Sequence, residues 1–194
     1  MSERVDPIEK FRGVLARASE NARFDPVAVT LATASADGRP SARVVLLRQV
    51  DDRGFVFFTN YESRKSQELI ANPRAAICCY WPWLDEQVRI EGTVEKADPL
   101  DSDAYFAGRP RGSQIGAWAS AQSRRLTSRA ELEARYRTLE TAYEHQQIPR
   151  PPFWGGFRLT PVRIEFWHAG TFRLHERVVY QRDGEGWTTE VLYP

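Results

Sequence analysis

The sequence lacks the features that mark several large classes of protein. Its apolar runs are far shorter than the roughly 20 residues that a membrane helix needs, and residues 1–10 contain no apolar core of a signal peptide. Only two cysteines occur, Cys78 and Cys79. Neighbouring residues on a strand point to opposite faces, so these two are poorly placed to bridge each other. We therefore expect no membrane partner and a reduced, cytoplasmic location.

An excess of charge and the usual catalytic motifs are also missing. Lys+Arg 27 balance Asp+Glu 26, whereas a general nucleic-acid binder carries a basic excess. The histidines 145, 168 and 175 are scattered, and no His or Cys pair has the spacing of a metal site. Neither of the glycine-rich nucleotide motifs occurs, and no G-x-S-x-G motif is present. We predict no nucleic-acid partner and no metal, and hydrolytic nucleophile chemistry is disfavoured.

Aromatic and β-branched residues, by contrast, are plentiful and lie in short runs between turn signals. Ala36-Asp37-Gly38-Arg39 and Asp51-Asp52-Arg53-Gly54 are typical of hairpin turns. Hairpins rather than βαβ units predict a mainly β protein, a β-barrel with peripheral helices, formed by residues 1–194 as a single domain. The predicted strands cover residues 27–34, 41–50, 55–60, 75–81, 87–97, 154–159, 163–168, 171–181 and 187–192.

Four helices are predicted from their capping signals. Asp6-Pro7 opens a helix that fades near Asn21, with an apolar stripe from Ile8 to Ala18. Ser63 caps a short helix through residue 71, and Asp98-Pro99 starts one that ends before residue 110. Residues 128–131 match a capping box and begin a helix that ends near residue 147. Residues 111–125 are expected to be irregular, with at most a helical turn at 115–120.

A repeat of basic residues stands near the end of the chain. Arg173, His175 and Arg177 occupy alternate positions of the strand predicted over 171–181, so they would share one face. Two guanidiniums beside an imidazole are costly unless an anion lies between them, and arginine can both grip a phosphate and stack on a flat ring. The alternative is an exposed face neutralised by nearby glutamates such as Glu165. Taken alone, the motif slightly favours that alternative.

Further basic clusters raise the same choice between an anion site and a solvated surface. Arg64 and Lys65 lie in the first turn of a predicted helix, where cations cost about 0.3–1 kcal/mol each unless an anion binds there. Tyr105, Arg109, Arg111 and Ser113 form a further cluster, in which two guanidiniums, a hydroxyl and free backbone amides suit a phosphate. Two more stretches are weaker signals. They are Arg43 and Arg48, which should face opposite sides of one strand, and the polar run Gln122-Ser123-Arg124-Arg125.

Several such clusters, together with Trp167, predict one or two phosphorylated, flat, aromatic ligands. A redox reaction carried out by a bound cofactor fits this set better than hydrolysis does. In this combination the residues resemble the pyridoxamine 5′-phosphate oxidase family over residues 6–194. The resemblance rests on motifs in the same order, which are R-V-V-L-L-R from Arg43, F-F-T-N-Y-E-S-R-K from Phe57, R-P-R-G-S-Q-I-G-A-W from Arg109, Q-S from Gln122, F-W-G-G-F-R from Phe153, I-E-F-W from Ile164 and R-L-H-E-R from Arg173.

The resemblance implies an FMN-binding split β-barrel that forms a homodimer, with FMN at the subunit interface and residues 150–194 carrying the dimer and active-site strands. The substrate phosphate would meet Arg48, Tyr105, Arg109 and Ser113. Arg173 and His175 would be catalytic and lie against the pyridine ring, with Asp25 near the substrate. The residues implied for FMN are Arg43, Val44, Val45, Leu46, Leu47, Arg48, Phe58, Thr59, Arg64, Lys65, Gln87, Gln122, Ser123, Trp167 and Arg177.

The implied activity is that of a pyridoxal 5′-phosphate synthase. Pyridoxamine 5′-phosphate or pyridoxine 5′-phosphate would lose a hydride from C4′ to flavin N5, and O2 would be reduced to hydrogen peroxide. Two alternatives stay open: a related flavin oxidase acting on another substrate, such as a phenazine precursor, and a flavin- or pyridoxal-phosphate-binding protein without catalysis. The sequence departs from the family pattern at Arg48, where a lysine is usual, at Phe58, where a tyrosine is common, and at Val191, where an arginine is usual.

Overall fold

The computed structural model describes residues 6–20 and 22–194, and the end predicted near Asn21 lies outside them. No helix in this part of the chain is long and apolar enough to cross a membrane. The helices are α1 (Pro7–Glu20), α2 (Arg64–Ala71), α3 (Pro99–Ala107), α4 (Arg111–Ala119) and α5 (Arg129–Ala142). The strands are β1 (Ala28–Ala34), β2 (Pro40–Asp51), β3 (Gly54–Asn60), β4 (Arg74–Trp81), β5 (Glu86–Lys96), β6 (Trp154–His168), β7 (Glu176–Asp183) and β8 (Gly186–Val191).

The strands form an antiparallel sheet that closes on itself. Their order is β3-β2-β1-β4-β5-β6-β7-β8, and an additional pairing of β3 with β6 closes the first six into a barrel. The long strand β6 makes this possible because its first part pairs with β3 and its last part with β7, while β5 pairs along both. Strands β7 and β8 therefore extend the sheet away from the barrel. The mainly β barrel with peripheral helices is confirmed.

Two apolar clusters hold the elements together. The larger fills the barrel and its end, where the predicted stripe of α1 is buried and the Phe11 ring meets Phe55 edge-on at 5.0 Å. The smaller consists of Phe106, Ile115, Ile148 and Trp154, and it packs α3 and α4 against the start of β6. Because burial of apolar surface is the main stabilising contribution, this second cluster determines where the two helices lie on the barrel.

Three predicted element boundaries are wrong. Residues 154–159 and 163–168 belong to one strand, because a bulge opposite Glu91 and Gly92 accommodates Pro161, which has no N–H to donate. Residues 111–119 form a regular helix that starts after Pro110. Ser128 caps α5, since its Oγ accepts the Glu131 amide at 3.2 Å, whereas the Glu131 side chain accepts the amide of Thr127 and not that of Ser128. The helix ends at residue 142.

The basic repeat near the C-terminus is not a strand over its whole length. Residues Thr171–Arg173 form a 3-10 turn, and β7 begins only at Glu176. Phe172 and Arg173 have φ values of 54° and 64°, in the left-handed region that interrupts the alternation of a strand. Arg173, His175 and Arg177 therefore do not share one strand face. Glycine at 170 permits this tight turn, since a Cβ there would lie 2.0 Å from the Leu174 carbonyl oxygen.

We expect Gly92→Ala to destabilise the barrel at the β5–β6 bulge. A Cβ at this position would lie 2.1 Å from the Thr160 carbonyl oxygen, a backbone atom that cannot rotate away. Overpacking of this kind costs about 1–3 kcal/mol. Urea unfolding at one fixed protein concentration measures the loss. Gly13→Ala in α1 is the matched control: no atom lies within 4 Å of its Cβ, so it should gain about 0.5–1 kcal/mol. Equal effects of the two changes would contradict the prediction.

Candidate active site

A cleft of about 670 Å³ opens between the outer face of the barrel and the helices α3 and α4. Strands β2 and β3 form its floor, the first turn of α2 closes one end, and α3 and α4 form the opposite wall. It is lined by Val44, Val45, Leu46, Arg48, Phe58, Thr59, Asn60, Lys65, Tyr105, Arg109, Pro110, Ser113, Gly116, Ala117, Ser120, Gln122 and Trp154. Most of these residues were predicted from sequence to bind the cofactor or the substrate.

Strand β2 presents apolar and basic side chains to this cleft. Its residues alternate between faces, so Leu47 lies in the core while Val44 and Leu46 are 66% and 37% exposed. The register with β3 shifts between Leu47 and Gln49, which leaves Arg48 as the extra residue of a bulge. Bulges of this kind re-aim a side chain. Arg48 thus lines the cleft beside Val44 and Leu46.

Lys65 is a cation surrounded by neutral oxygens. Its ammonium group donates to Thr59 Oγ1 at 2.9 Å, to Ser63 Oγ at 3.1 Å and to Gln122 Oε1 at 3.0 Å. Burial, with a smaller contribution from the charge of Arg43, lowers the pKa of Lys65 to about 8. Within residues 6–20 and 22–194 no carboxylate lies close enough to neutralise it. An anion entering this end of the cleft would stabilise the charged form.

Arg48 and Arg109 flank a stack of aromatic rings at the other end. Phe58 and Tyr105 are parallel at 4.0 Å, and Trp154 is parallel to Phe58 at 5.7 Å. The Arg109 guanidinium lies 4.7 Å from the centre of the Trp154 ring, and that of Arg48 lies 6.0 Å from Tyr105. Burial lowers the pKa of Arg109, and the charge of Arg48 acts in the same direction.

Neither of these arginines forms an ion pair with the described carboxylates. The hydroxyl of Ser113 in the first turn of α4 lines the same end of the cleft, and that turn contains no acidic residue. Two guanidiniums, a hydroxyl and a helix N-terminus form a site suited to a doubly charged oxyanion such as a phosphate.

Arg43 and Arg64 do not line the cleft, and both bind the buried carboxylate of Glu68. Glu68 accepts from Arg64 Nε at 2.8 Å, from Arg43 at 3.1 Å and from Thr33. Burial acts to raise the pKa of Glu68, but these hydrogen bonds outweigh it and the pKa lies below its usual value. Arg43 also donates to Leu31 O, Thr33 and Ser41, so a single N–H of its five remains free for a ligand.

A second group of predicted residues lies on β5, β6 and β7 rather than in the cleft. Gln87, Trp167 and Arg177 are neighbours across these three strands. Arg177 donates a hydrogen bond from Nε to Glu165 Oε1 at 2.9 Å and forms an ion pair with the same oxygen through Nη2, also at 2.9 Å. The expected counter-charge for this arginine is therefore present. The ring centre of His175 lies 4.7 Å from that of Trp167.

The remaining predicted residues are distributed as follows. Arg173 is exposed on the turn before β7, and His175 Nδ1 accepts the Gly170 amide at 3.2 Å. Asp25 caps the turn before β1 through the Val27 amide, and Ser123 is exposed at a φ of 69°. None of these four residues lines the cleft, and Leu47 is buried beneath it.

Sequence reasoning missed several residues that the structure brings into the cleft. Trp154 was assigned only to a strand, and the residues of α4 that line the cleft were assigned to an irregular segment. A signal for them exists, because Ser113, Gly116 and Ala117 have the spacing of one helix face. The additional lining residues are Asn60, Pro110, Gly116, Ala117, Ser120 and Trp154.

Comparison with known proteins accounts for this arrangement. A family model described as pyridoxamine 5′-phosphate oxidase matches residues 18–143, which include every cleft residue except Trp154. A second model, described as the pyridoxine 5′-phosphate oxidase C-terminal dimerisation region, matches residues 154–194. The chain belongs to the pyridoxamine 5′-phosphate oxidase family. The dimerisation region contains Trp167 and Arg177 of the second group and indicates a homodimer.

Individual members of the pyridoxamine 5′-phosphate oxidase family are similar over nearly their whole length. A pyridoxine/pyridoxamine 5′-phosphate oxidase of Myxococcus xanthus (strain DK1622) is 56% identical over 189 residues, which cover 97% of this chain and 92% of the relative. The one from Brucella canis is 49% identical over 196 residues, covering 100% and 96%.

Solved structures agree with this assignment. PhzG from Burkholderia lata 383, in complex with tetrahydrophenazine-1-carboxylic acid, has a TM-score of 0.94 at 36% identity and covers 100% of this chain and 95% of its own. A pyridoxamine 5′-phosphate oxidase-related, FMN-binding protein from Nostoc punctiforme has a TM-score of 0.77 at 20% identity, with both chains fully covered. The second likeness supports the split-barrel fold alone.

We expect the cleft to lose affinity for inorganic phosphate as the pH rises through about 8. Lys65 is charged below its pKa of about 8, so deprotonation above that value removes a cation. Deprotonation of this one group can lower the affinity by up to about tenfold for each pH unit above its pKa. Calorimetric titration of the protein, freed of bound small molecules, between about pH 8 and about pH 10 measures the effect.

Lys65→Met is the control for this titration, since it should bind phosphate weakly at every pH and lack the fall. A pH dependence of the same slope in both proteins would show that another group is responsible.

Proposed function

We propose that the protein is an FMN-dependent oxidase that converts pyridoxamine 5′-phosphate or pyridoxine 5′-phosphate to pyridoxal 5′-phosphate. The observation that carries the proposal is the pair Arg48 and Arg109, which flank an aromatic stack without a carboxylate partner in the described chain. With Ser113 they suit the phosphate of a small aromatic substrate. Relatives up to 56% identical are named for this activity.

The cleft residues fit FMN as the cofactor. Lys65 provides a second cationic position, Gln122 and Thr59 offer polar contacts, and the exposed side chains of Val44 and Leu46 provide an apolar surface for a ring system. Arg64, held by Glu68 at the start of α2, adds positive charge at that end. When bound, FMN supplies a hydride acceptor whose electrons pass to O2, giving hydrogen peroxide. The protein supplies binding, orientation and charge.

The second group of residues is expected to reach the cleft from the other subunit of a homodimer. Gln87, Trp167 and Arg177 do not line the cleft of their own chain, and the family match assigns residues 154–194, which include Trp167 and Arg177, to dimerisation. Val44 is largely exposed and Leu46 is partly exposed on the adjoining sheet face, and both are apolar, as expected for a surface that a partner covers. FMN would then lie at the interface and contact both subunits.

Each protein group has a definite role in this proposal. Arg48, Arg109 and Ser113 bind the substrate phosphate and orient the ring. Arg173 does not line the cleft of its own chain, so its proposed role is to stack on a pyridine ring in the cleft of the other subunit. There it would limit the movement of the ring, which is a contribution from positioning. His175 accepts the Gly170 amide at Nδ1, so in its neutral form the proton lies on Nε2, which is free to donate a hydrogen bond to the substrate.

The test combines a spectrum with an activity measurement. We expect FMN-loaded protein to lose its visible flavin absorbance when pyridoxamine 5′-phosphate or pyridoxine 5′-phosphate is added without oxygen. In air, both oxygen uptake and peroxide should follow. Pyridoxamine and pyridoxine are the matched controls, since they lack the phosphate and should react poorly at the same concentrations. A flavin that both phosphates leave oxidised would contradict the proposal.

One observation favours a second function, that of a related flavin oxidase. PhzG, which matches the whole chain with a TM-score of 0.94, was solved with tetrahydrophenazine-1-carboxylic acid. A carboxylate could occupy the same arginine pair as a phosphate does. This related oxidase would be favoured if tetrahydrophenazine-1-carboxylic acid reduced the flavin while pyridoxamine 5′-phosphate and pyridoxine 5′-phosphate both left it oxidised.

We also expect Arg173→Ala to slow flavin reduction while FMN stays bound. The substitution leaves the cationic cleft intact but removes the group proposed to hold the pyridine ring. Loss of positioning can lower the rate of reduction by about 10²-fold. Anaerobic stopped-flow measurements report reduction, and flavin fluorescence reports retention. Arg182→Ala, which removes an exposed arginine that contacts Trp187, is the control. Reduction of the Arg173→Ala flavin at the unaltered rate would remove this residue from the site.

A further inference from the structure

The guanidinium of Arg109 is half-buried yet has no hydrogen-bond acceptor or carboxylate partner in the described part of the chain. What it contacts is aromatic: its central carbon lies 4.7 Å from the centre of the Trp154 ring and 5.8 Å from that of Phe106. A guanidinium is attracted to the face of an aromatic ring, most strongly to tryptophan. The stack therefore holds Arg109 while leaving its five N–H groups free to bind a ligand.

Trp154 is itself held rigidly. It is only 6% exposed, it packs edge-on against Phe106 at 5.2 Å and parallel to Phe58 at 5.7 Å, and it lies opposite Asn60 at the start of β6. A side chain this buried has little surface to offer a ligand. Its contribution to the cleft is therefore made through Arg109.

We infer that Trp154 is a positioning residue for phosphate recognition, because its indole face holds the Arg109 guanidinium in the cleft before the ligand binds. The inference rests on the proposed role of Arg109 in binding the substrate phosphate. Arginine has many rotamers, and a ligand that must first order such a side chain binds about three- to tenfold more weakly. Trp154 removes this cost by ordering Arg109 in advance. Because Arg109 is proposed to bind the phosphate, only phosphorylated ligands benefit.

A double-mutant cycle on flavin-loaded protein tests this role. Pyridoxal 5′-phosphate and pyridoxal are titrated into the unaltered protein and into Trp154→Leu, Arg109→Ala and the double variant. We expect Trp154→Leu to weaken pyridoxal 5′-phosphate about three- to tenfold and to leave pyridoxal unchanged. In the Arg109→Ala background the same change should have no further effect, because residues that act through one another are not additive. Trp154→Phe, which keeps a ring face, should bind within about twofold of the unaltered protein.

Trp118→Leu is the matched control. Trp118 packs on the same apolar cluster and donates to the Pro149 carbonyl oxygen, but it does not contact Arg109. Additive losses in the cycle, an equal loss for pyridoxal, or an equal loss in Trp118→Leu would overturn the inference. If Arg109→Ala binds pyridoxal 5′-phosphate normally, the phosphate assignment fails as well. If Arg109→Ala weakens the binding of pyridoxal 5′-phosphate and Trp154→Leu does not, only the role of Trp154 is overturned.

Two further measurements cover the case in which Trp154→Leu fails to fold. Trp154→Met fills much of the same volume without a ring face and should reproduce the loss. In the unaltered protein, the side-chain protons of Arg109 should be shifted upfield by the ring current of the indole. Unshifted protons would show that the stack is absent in solution and would overturn the inference.

Discussion

Strand β6 is the element on which the rest of the structure depends. It pairs with β3 at its beginning, with β7 at its end and with β5 along both parts. The β3 pairing closes the barrel, and the β7 pairing carries the C-terminal strands beyond it. Trp154, at the start of β6, lies in the cleft, whereas Trp167 lies near its end among the residues of the dimerisation region. One continuous strand thus carries Trp154 in the cleft of its own chain and Trp167, which is proposed to serve the cleft of the other subunit.

Partly buried positive charge without a carboxylate partner distinguishes the cleft from the ion-paired clusters of the described chain. In those clusters, Arg177 meets Glu165, and Arg43 and Arg64 meet Glu68. Lys65, Arg48 and Arg109 have no such partner among residues 6–20 and 22–194. Partial burial of Lys65 and Arg109 is unfavourable unless an anion compensates for it, and Arg48 lies exposed on the same cleft. This contrast is the physical basis for placing phosphate groups in the cleft.

The hydrogen bonds of each arginine also limit the role in ligand binding that the resemblance implies for it. Arg43 has four of its donors engaged by protein oxygens, so its contribution to an anion is mainly through its charge and through the order that it gives to Glu68 and Arg64. Arg48 and Arg109 have the opposite character, since their guanidiniums donate to no protein oxygen in the described part of the chain. Residues that one family motif groups together therefore do different work in the folded chain.

The sequence by itself determined the fold class, the family and most residues of the cleft. Periodicity and capping residues act locally, so hairpins, α1 and the N-cap of α5 could be recognised. Local signals failed where distant contacts decide the conformation. The bulge at Pro161 keeps β6 continuous. The helix at 111–119 packs on Trp154 and Ile148, which lie far along the chain. The turn at Phe172 and Arg173 breaks the expected alternation of the basic repeat. Only the tertiary structure showed which cations lack a carboxylate, because the partners Glu68 and Glu165 come from other elements of the fold.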